Sequence, residues 1–410
     1  MKIWLISIFE QTPVDKVFST RFINIADAAV KRGHEVTFFA STFKHNTKIQ
    51  RYPDTTEIIL NDNYKLMFIK SLGYKKNISI KRLYAHYVFS RRLVNGHLKK
   101  SSRPDIIFMA YPSISIAAEV CKWAEKENIP VIVDIIDPWP DIFRKSMKGL
   151  PQKLQDFILF PMARKAKSIF KRASGVTAIS NQYIDWAKGY YPKIINTDCF
   201  YPAVLLKDMQ SQLKAFNEKF EKDSTVFRVI YAGSLASSYD ISTILKAAEI
   251  LNKKYGEKIG FVIAGAGPQA ALIDIYLKKI TNLQYLGRLS KDDLMKEYFL
   301  SDIGLTQHVK GATQSVTYKL FDLLACGLPI MNSLESEMKD IILKNKVGLF
   351  NSPGDAATLA ANIEYCFNNK AAFQEMKTRA VELTARLGDA ALIYERALNF
   401  IEQTAFKINK

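Results

Sequence analysis

The sequence predicts an α/β protein made of two doubly wound domains, and three observations carry that prediction. Short continuous runs of β-branched and aromatic residues alternate with segments of helical spacing, as in parallel sheets covered by helices on both faces. The chain has 410 residues, more than the roughly 250–300 that one hydrophobic core fills. The alternation lapses once, into a polar stretch over residues 200–225, and then restarts.

The elements follow in order. KIWLISIF near the start reads as a buried strand. The helical STRFINIADAAVKRG comes next and stops at Gly33, and HEVTFFAS is again a strand. KLMFIKSL, DIIFMAY, PVIVDIID and GVTAIS repeat the strand pattern up to residue 180. Beyond the polar stretch come the strand VFRVIYAG, a helix in ISTILKAAEILNKKYG, the strand IGFVIAG, another helix and the strand LQYLG. Helix SKDDLMKEYFLS, strand DIGLTQ, helix VTYKLFDLLAC and strand PIMNS complete the series. A terminal helix carries an apolar face of Leu392, Ile393, Ala397, Phe400 and Ile401. The first domain is therefore placed at residues 1–205 together with that returning helix (388–410), and the second at 206–387. In open α/β sheets ligands sit beyond the carboxyl ends of the strands, so the expected site is a cleft where the two sheets face each other.

Charge divides unevenly. The chain holds 58 Lys and Arg against 40 Asp and Glu. Residues 1–200 contain 32 basic and 17 acidic residues, whereas 201–410 contain 26 and 23. The first half is built to meet something anionic: nucleic acid, anionic lipid or a phosphorylated substrate. Cys121, Cys199, Cys326 and Cys366 are far apart and share no metal-ligand spacing, which suggests reduced thiols in a cytosolic protein. The apolar start is too short for a signal sequence, and no run of 18 apolar residues exists to span a membrane.

The candidate site lies around YKLFDLLACGLPI, residues 318–330. The spacing predicts a helix that starts near Ser315, a good N-cap type, and ends at Gly327 before Pro329. The amides of Ser315, Val316 and Thr317 would then favour a diphosphate. Lys319 in the first turn opposes the helix dipole, a penalty that a bound phosphate reverses. Asp322 can accept two hydrogen bonds from the vicinal diol of a ribose. The plain alternative is an exposed Lys319–Asp322 pair at i, i+3, worth a few tenths of a kcal/mol.

The same segment, YKLFDLLACGLPIMNS, resembles the signature of family-4 glycosyltransferases of GT-B architecture, in which an acid precedes a small-x-Gly-x-Pro turn. The resemblance is closer to the subgroup of capsule and O-antigen enzymes that includes L-fucosamine-type transferases. VIVDIIDPWPDIF matches a D-x-x-D-x-W-P stretch of that subgroup, and YAGSLASSYDISTILKAA, FVIAGAGP and VGLFNSPGDAATLAANI match the donor domain in order.

The resemblance implies sugar transfer from a nucleotide-diphosphate sugar with retention, without a metal or other cofactor. UDP and an N-acetylhexosamine type of sugar are the expected donor parts. The sequence contains no D-x-D and no His/Asp cluster with metal-site spacing. Asp322 takes the place of the acid that holds the ribose. The family's other acid falls on Gln314, a neutral residue limited to hydrogen bonds with sugar hydroxyls. Gly233 and Ser234 keep the turn after the donor domain's first strand, but the basic pair that usually follows is absent. Lys319 and Arg288 are the remaining cations for the diphosphate. Gly265 and Gly267 read as backbone geometry. In the first domain Asp137 is placed to orient the acceptor hydroxyl, or else to cap the turn before Pro138, and Ser113 lies on the acceptor side. His308 is a further donor-side candidate.

Residues 74–100 and 153–172 mix Lys and Arg with Tyr, Phe, Leu and Ile. Basic amphipathic helices of this kind suit an anionic membrane surface; alternatively the aromatic residues face the core and the basic ones water. The family implies an undecaprenyl-diphosphate-linked glycan as acceptor, and hence a cytoplasmic protein peripheral at the inner face of the cell membrane. Three other readings remain: a UDP-binding but inactive protein, a nucleotide-sugar epimerase, and a basic nucleic-acid binder. The epimerase needs cleft carboxylates and histidines, in which the sequence is poor. The nucleic-acid reading lacks any helix-turn-helix, RNA-recognition or zinc-finger pattern.

Overall fold

The apolar runs become the strands of two sheets. The computed structural model describes residues 1–15, 20–77, 79–147 and 149–408. The chain divides into two compact units, Met1–Tyr201 with Ala391–Lys410, and Pro202–Ala390.

Unit 1 is built from β1 (Lys2–Ile6), β2 (Glu35–Ser41), the short pair β3 (Phe43–Lys44) and β4 (Ile49–Gln50), β5 (Thr56–Asn61), β6 (Tyr64–Ile69), β7 (Ile106–Tyr111), β8 (Val131–Ile135), β9 (Gly175–Ala178) and β10 (Thr197–Cys199). Its main sheet has the order β10-β9-β8-β7-β1-β2-β6-β5. All neighbours are parallel except β5, which runs antiparallel to β6. Every residue of β7 and β8 is buried, because a central parallel strand has no solvent face. The helices are α1 (Arg21–Lys31), α2 (Ile80–Arg91), α3 (Ile114–Lys126), α4 (Gln152–Arg172) and α5 (Asn181–Tyr190).

A fully buried charged pair sits at the centre of this core. Asp134 on β8 and Arg21 on α1 form a bidentate contact, with Arg21 Nε and Nη2 donating to the carboxylate at 2.6 and 2.8 Å. The Thr177 hydroxyl donates to the same carboxylate, and Arg21 Nη1 donates to the Phe200 carbonyl at 2.5 Å. Satisfying the partners in this way is what makes a buried charge tolerable.

Unit 2 opens with α6 (Leu206–Lys219), followed by β11 (Phe227–Ala232), α7 (Ile241–Tyr255), β12 (Ile259–Ala264), α8 (Ala270–Leu277), β13 (Leu283–Gly287), α9 (Lys291–Leu300) and β14 (Ile303–Thr306). Then come α10 (Lys319–Ala325), β15 (Ile330–Asn332), α11 (Glu337–Lys344), β16 (Gly348–Phe350), α12 (Ala356–Asn368) and α13 (Lys370–Leu387). The sheet is wholly parallel, in the order β13-β12-β11-β14-β15-β16. Both units are therefore Rossmann-like, as the sequence predicts.

The last helix, α14 (Ala390–Ile408), packs on unit 1. Glu402 holds Arg32 at 3.0 Å and His34 at 2.7 Å, and Phe400 meets Phe200. Residues 409 and 410 of the expected 388–410 segment lie outside the described residues, as does Ile78 of the basic stretch at 74–100.

Three expectations need correction. Residues 200–225 are not simply a polar break: α6 occupies 206–219 within them, with only Leu206 and Met209 of the helix buried, a stripe too narrow to lift the local hydropathy. Leu392 is exposed, whereas Ile393, Ala397, Phe400 and Ile401 are buried. Leu392 lines up with Arg396 and Asn399, one step around the helix from the buried stripe. Finally, α10 begins at Lys319, not Ser315. Residues 315–317 form an irregular approach in which Ser315 and Val316 are buried, so no helical N-terminus presents their amides.

Candidate functional site

Strand order reverses in unit 2 between β11 and β14, which lie side by side while the chain fills the sheet outward from each. Such a switch point, at the carboxyl ends of the two strands, is where open α/β sheets bind ligands. The turn after β11 starts at Gly233, with φ +147. A β-carbon there would collide with Lys319 Nζ, and one on Gly265 would collide with the Gly233 carbonyl. The Lys319 end can move aside, so Gly233 is required by its positive φ, and Gly265 by the backbone carbonyl it faces. At the end of β14, the buried His308 sets its ring 5.0 Å from that of Tyr239.

Lys319 is brought into this corner by α10. Its ammonium lies 4.2 Å from the ring centroid of Tyr231 and 4.5 Å from that of Tyr239. The side chain as a whole is half-buried, yet its terminal nitrogen is shut from solvent and has no hydrogen-bond partner. Two such ring contacts return about 0.5–2 kcal/mol each, less than the several kcal/mol that desolvating an unpaired ion costs. The charged form is accordingly disfavoured: burial pulls the Lys319 ammonium down to about 7, only partly opposed by Asp322.

Asp322 stands one helical turn further on, half-buried. Burial pushes its carboxyl up to about 6, against the pull of Lys291 and Lys319. No ion pair within 4 Å joins Lys319 and Asp322, so the exposed-pair alternative does not describe this geometry.

The other expected residues are distributed as follows. The Gln314 side chain is half-buried and its Oε1 is enclosed without a partner. The Ser315 carbonyl accepts from Ser336 Oγ at 2.6 Å, Val316 is a core side chain, and the Thr317 hydroxyl contacts Met338 Sδ at 3.6 Å. Ser234 is exposed, and its carbonyl accepts from the Tyr231 hydroxyl at 2.7 Å. Arg288 is exposed just past β13, on the same edge of the sheet but two strands from β11. Asp137 and Ser113 belong to unit 1. Asp137 follows β8 and is half-buried, and burial pushes its carboxyl up to about 6 against the pull of Arg82. Ser113 precedes α3 with its hydroxyl buried and unpartnered. Tyr231, Tyr239 and Lys291 escape a sequence reading, because Tyr231 in a strand looks like core, Tyr239 looks like a turn residue and Lys291 looks like an ordinary first-turn surface residue.

Among the described residues, no group of three or more His, Cys, Asp or Glu is placed to hold a metal.

Two Rossmann-like α/β units in one chain are the GT-B architecture. Residues 19–196 match the Glycosyltransferase Family 4 domain, and residues 213–383 match the domain of glycosyl transferases group 1. By its domains, this chain is a glycosyltransferase-family protein. Solved structures share the fold across the whole length. Sucrose-phosphate synthase of Thermosynechococcus elongatus superposes with TM-score 0.74 at 16% identity, covering 98% of each chain. The α,α-trehalose 6-phosphate synthase of Burkholderia multivorans gives TM-score 0.72 at 10% identity, over 99% of each chain. HepE of Anabaena in complex with UDP gives 0.69 at 12% identity, over 98% of this chain and 100% of that one. No curated protein sequence matches the chain.

Proposed function

We propose that the protein is a retaining glycosyltransferase that moves a sugar, of N-acetylhexosamine type, from a UDP-sugar to a lipid-linked glycan in capsule or O-antigen synthesis. The observation that carries the donor half is the enclosed Lys319 ammonium over the Gly233 turn, unpartnered and one turn from Asp322. In this reading Asp322 holds the ribose diol. Lys319 neutralises the leaving diphosphate, whose negative charge grows as the glycosidic bond breaks. Gln314 hydrogen-bonds sugar hydroxyls, the Gly233–Ser234 turn lines the phosphates, and Arg288 guards the edge. Asp137 orients the acceptor hydroxyl beside Ser113. The UDP and UDP-glucose held by HepE structures support a uridine nucleotide.

The acceptor half is supported by two helices of unit 1. On α2, Ile80 (85% exposed), Leu83, Tyr84 and Tyr87 face outward, and on α4 so do Leu154, Phe157 (78% exposed), Ile158 and Phe160. Lysines and arginines flank both sets. An apolar face with a basic surround suits an anionic lipid surface at the inner face of the membrane, whereas Tyr74, Phe89 and Phe170 of the same stretches face the core, as the alternative has it. Among the described residues no helix is long and apolar enough to cross a membrane. The neutral Gln314, at the place of a family acid, favours a second reading in which UDP binds without turnover; UDP release from a UDP-sugar screen separates the two.

The primary test is calorimetric binding of UDP, GDP and ADP to the wild type and to Asp322→Ala. UDP should bind, and the substitution should weaken it by about 10-fold or more, roughly 1.4 kcal/mol. Equal affinity for UDP in both proteins would remove Asp322 from the donor site.

A further inference from the structure

Helix α2 buries two basic side chains beside Ala85, Phe89 and Ser90. Arg82 and His86 are 7% and 4% exposed, while Ile80, Leu83, Tyr84 and Tyr87 face solvent. A sequence that spends burial on a guanidinium and an imidazole, with apolar residues to spare on the same helix, departs from the pattern that stability alone selects.

The Arg82 guanidinium is boxed by aromatic rings, 5.0 Å from the ring centroid of Phe9, 5.7 Å from Tyr74 and 4.7 Å from Trp139. These come from the segments after β1, β6 and β8, so the box stands at the carboxyl edge of the unit 1 sheet. Nη1 donates to the Asn77 carbonyl at 2.6 Å, but Nε is buried with no hydrogen-bond partner. Arg82 forms no ion pair among the described residues, and Asp137, the acid that acts on it, stays beyond 4 Å. One turn along, the His86 ring packs 5.5 Å from Phe9 and its Nε2 is likewise buried and unpartnered. Burial and the nearby Arg82 push the His86 ring down to about 3, so it is neutral. Lys48 adds a third basic group, over Tyr74 at 5.0 Å and bonded to Asn77 Oδ1 at 2.6 Å.

The enclosure concentrates positive charge with no carboxylate in contact and leaves two nitrogens without partners. An unpaired buried guanidinium is costly, and charge-assisted hydrogen bonds to an oxyanion are what relieve it. We propose that Arg82 and His86, with Lys48 at the rim, form a subsite for a phosphate group inside the walls of Phe9, Tyr74 and Trp139. Arg82 supplies the fixed charge, and a dianion draws a proton onto His86. The subsite deepens the acceptor half of the proposed function, as the place that recognises the acceptor's phosphate ester. It does not rest on the donor half.

The test titrates inorganic phosphate by calorimetry into the wild type, Lys319→Met, Arg82→Gln and His86→Gln. Binding should persist in Lys319→Met and fall by about 10-fold or more in the other two variants. Loss in Lys319→Met with retention in Arg82→Gln would assign the phosphate to the donor site and overturn the proposal, as would no binding to any of the proteins. If Arg82→Gln does not fold, His86→Gln and the part-exposed Lys48→Gln carry the test, the latter with a loss of about 3-fold; unchanged affinity in both overturns it. A hexose 6-phosphate and neutral vesicles doped with a polyprenyl diphosphate then compete against phosphate. Competition by either supports the subsite and names its source. Competition by neither means an adventitious ion only, and the proposal fails.

Discussion

Lys319 holds its proton loosely because it is enclosed, and this has a measurable consequence. Its ordinary value is 10.5, and in the folded chain it is pulled down to about 7. Between those values the unfolded chain binds more protons at this residue, so its contribution to stability improves as pH rises from about 7 toward 10.5. A bound diphosphate favours the charged form and reverses the shift. At pH 8, UDP binding should therefore take up about one proton, read by calorimetry in buffers of different ionisation enthalpy. Lys319→Met should abolish that uptake and weaken UDP. Uptake that persists in the variant would place the titrating group elsewhere. Lys319 and Asp322 were legible as a pair because their spacing and the Gly-x-Pro turn lie in one segment. Their partners Tyr231, Tyr239 and Gly233 were less so, because that contact joins residues some eighty positions apart and depends on how α10 packs over the end of β11.

At the scale of elements, helix α4 exposes Phe157 and Phe160 in a half that buries little. Phe157→Glu with Phe160→Glu should leave the fold intact, since neither side chain is buried. Sedimentation with anionic vesicles should show a partition lowered by at least about 10-fold, because each ring removed from lipid forfeits about 1.5–3 kcal/mol of transfer energy. Raising the salt concentration should weaken the wild-type interaction as well. Unchanged partition would assign the lipid contact to another face. The strands were the most readable elements, since a central parallel strand announces itself as an unbroken apolar run. The antiparallel edge strand β5 was not, because its residues are largely exposed. Helix α10 starts four residues later than the sequence predicts: Ser315 has the chemistry of a cap, but its carbonyl accepts from Ser336, a partner that only tertiary structure supplies.

At the scale of the whole molecule, unit 1 is assembled from two separated stretches of chain, with α14 as its last part. Ile401 is fully buried, and Phe400 closes over Gly175 at the start of β9. Ile401→Ala should cost about 2–5 kcal/mol. Hydrogen exchange should show protection falling in β1, β7, β8 and β9 while β11 to β16 are unchanged; a uniform loss would mean that the two units unfold as one. The sequence exposed this arrangement through the apolar stripe on the last helix, but only the structure pairs the two ends of unit 2, where Val204 donates to the Gly388 carbonyl and Ala390 donates back to that of Val204, each at 2.9 Å. That pairing gives the protein an inverted schedule of synthesis. As the polypeptide leaves the ribosome N-terminus first, the unit encoded second is complete once residue 390 has emerged, while the one encoded first must wait for its final helix. From the emergence of β10 until that of α14 the growing chain therefore carries a complete but partly uncovered sheet, and that bare face is the part most in need of a chaperone.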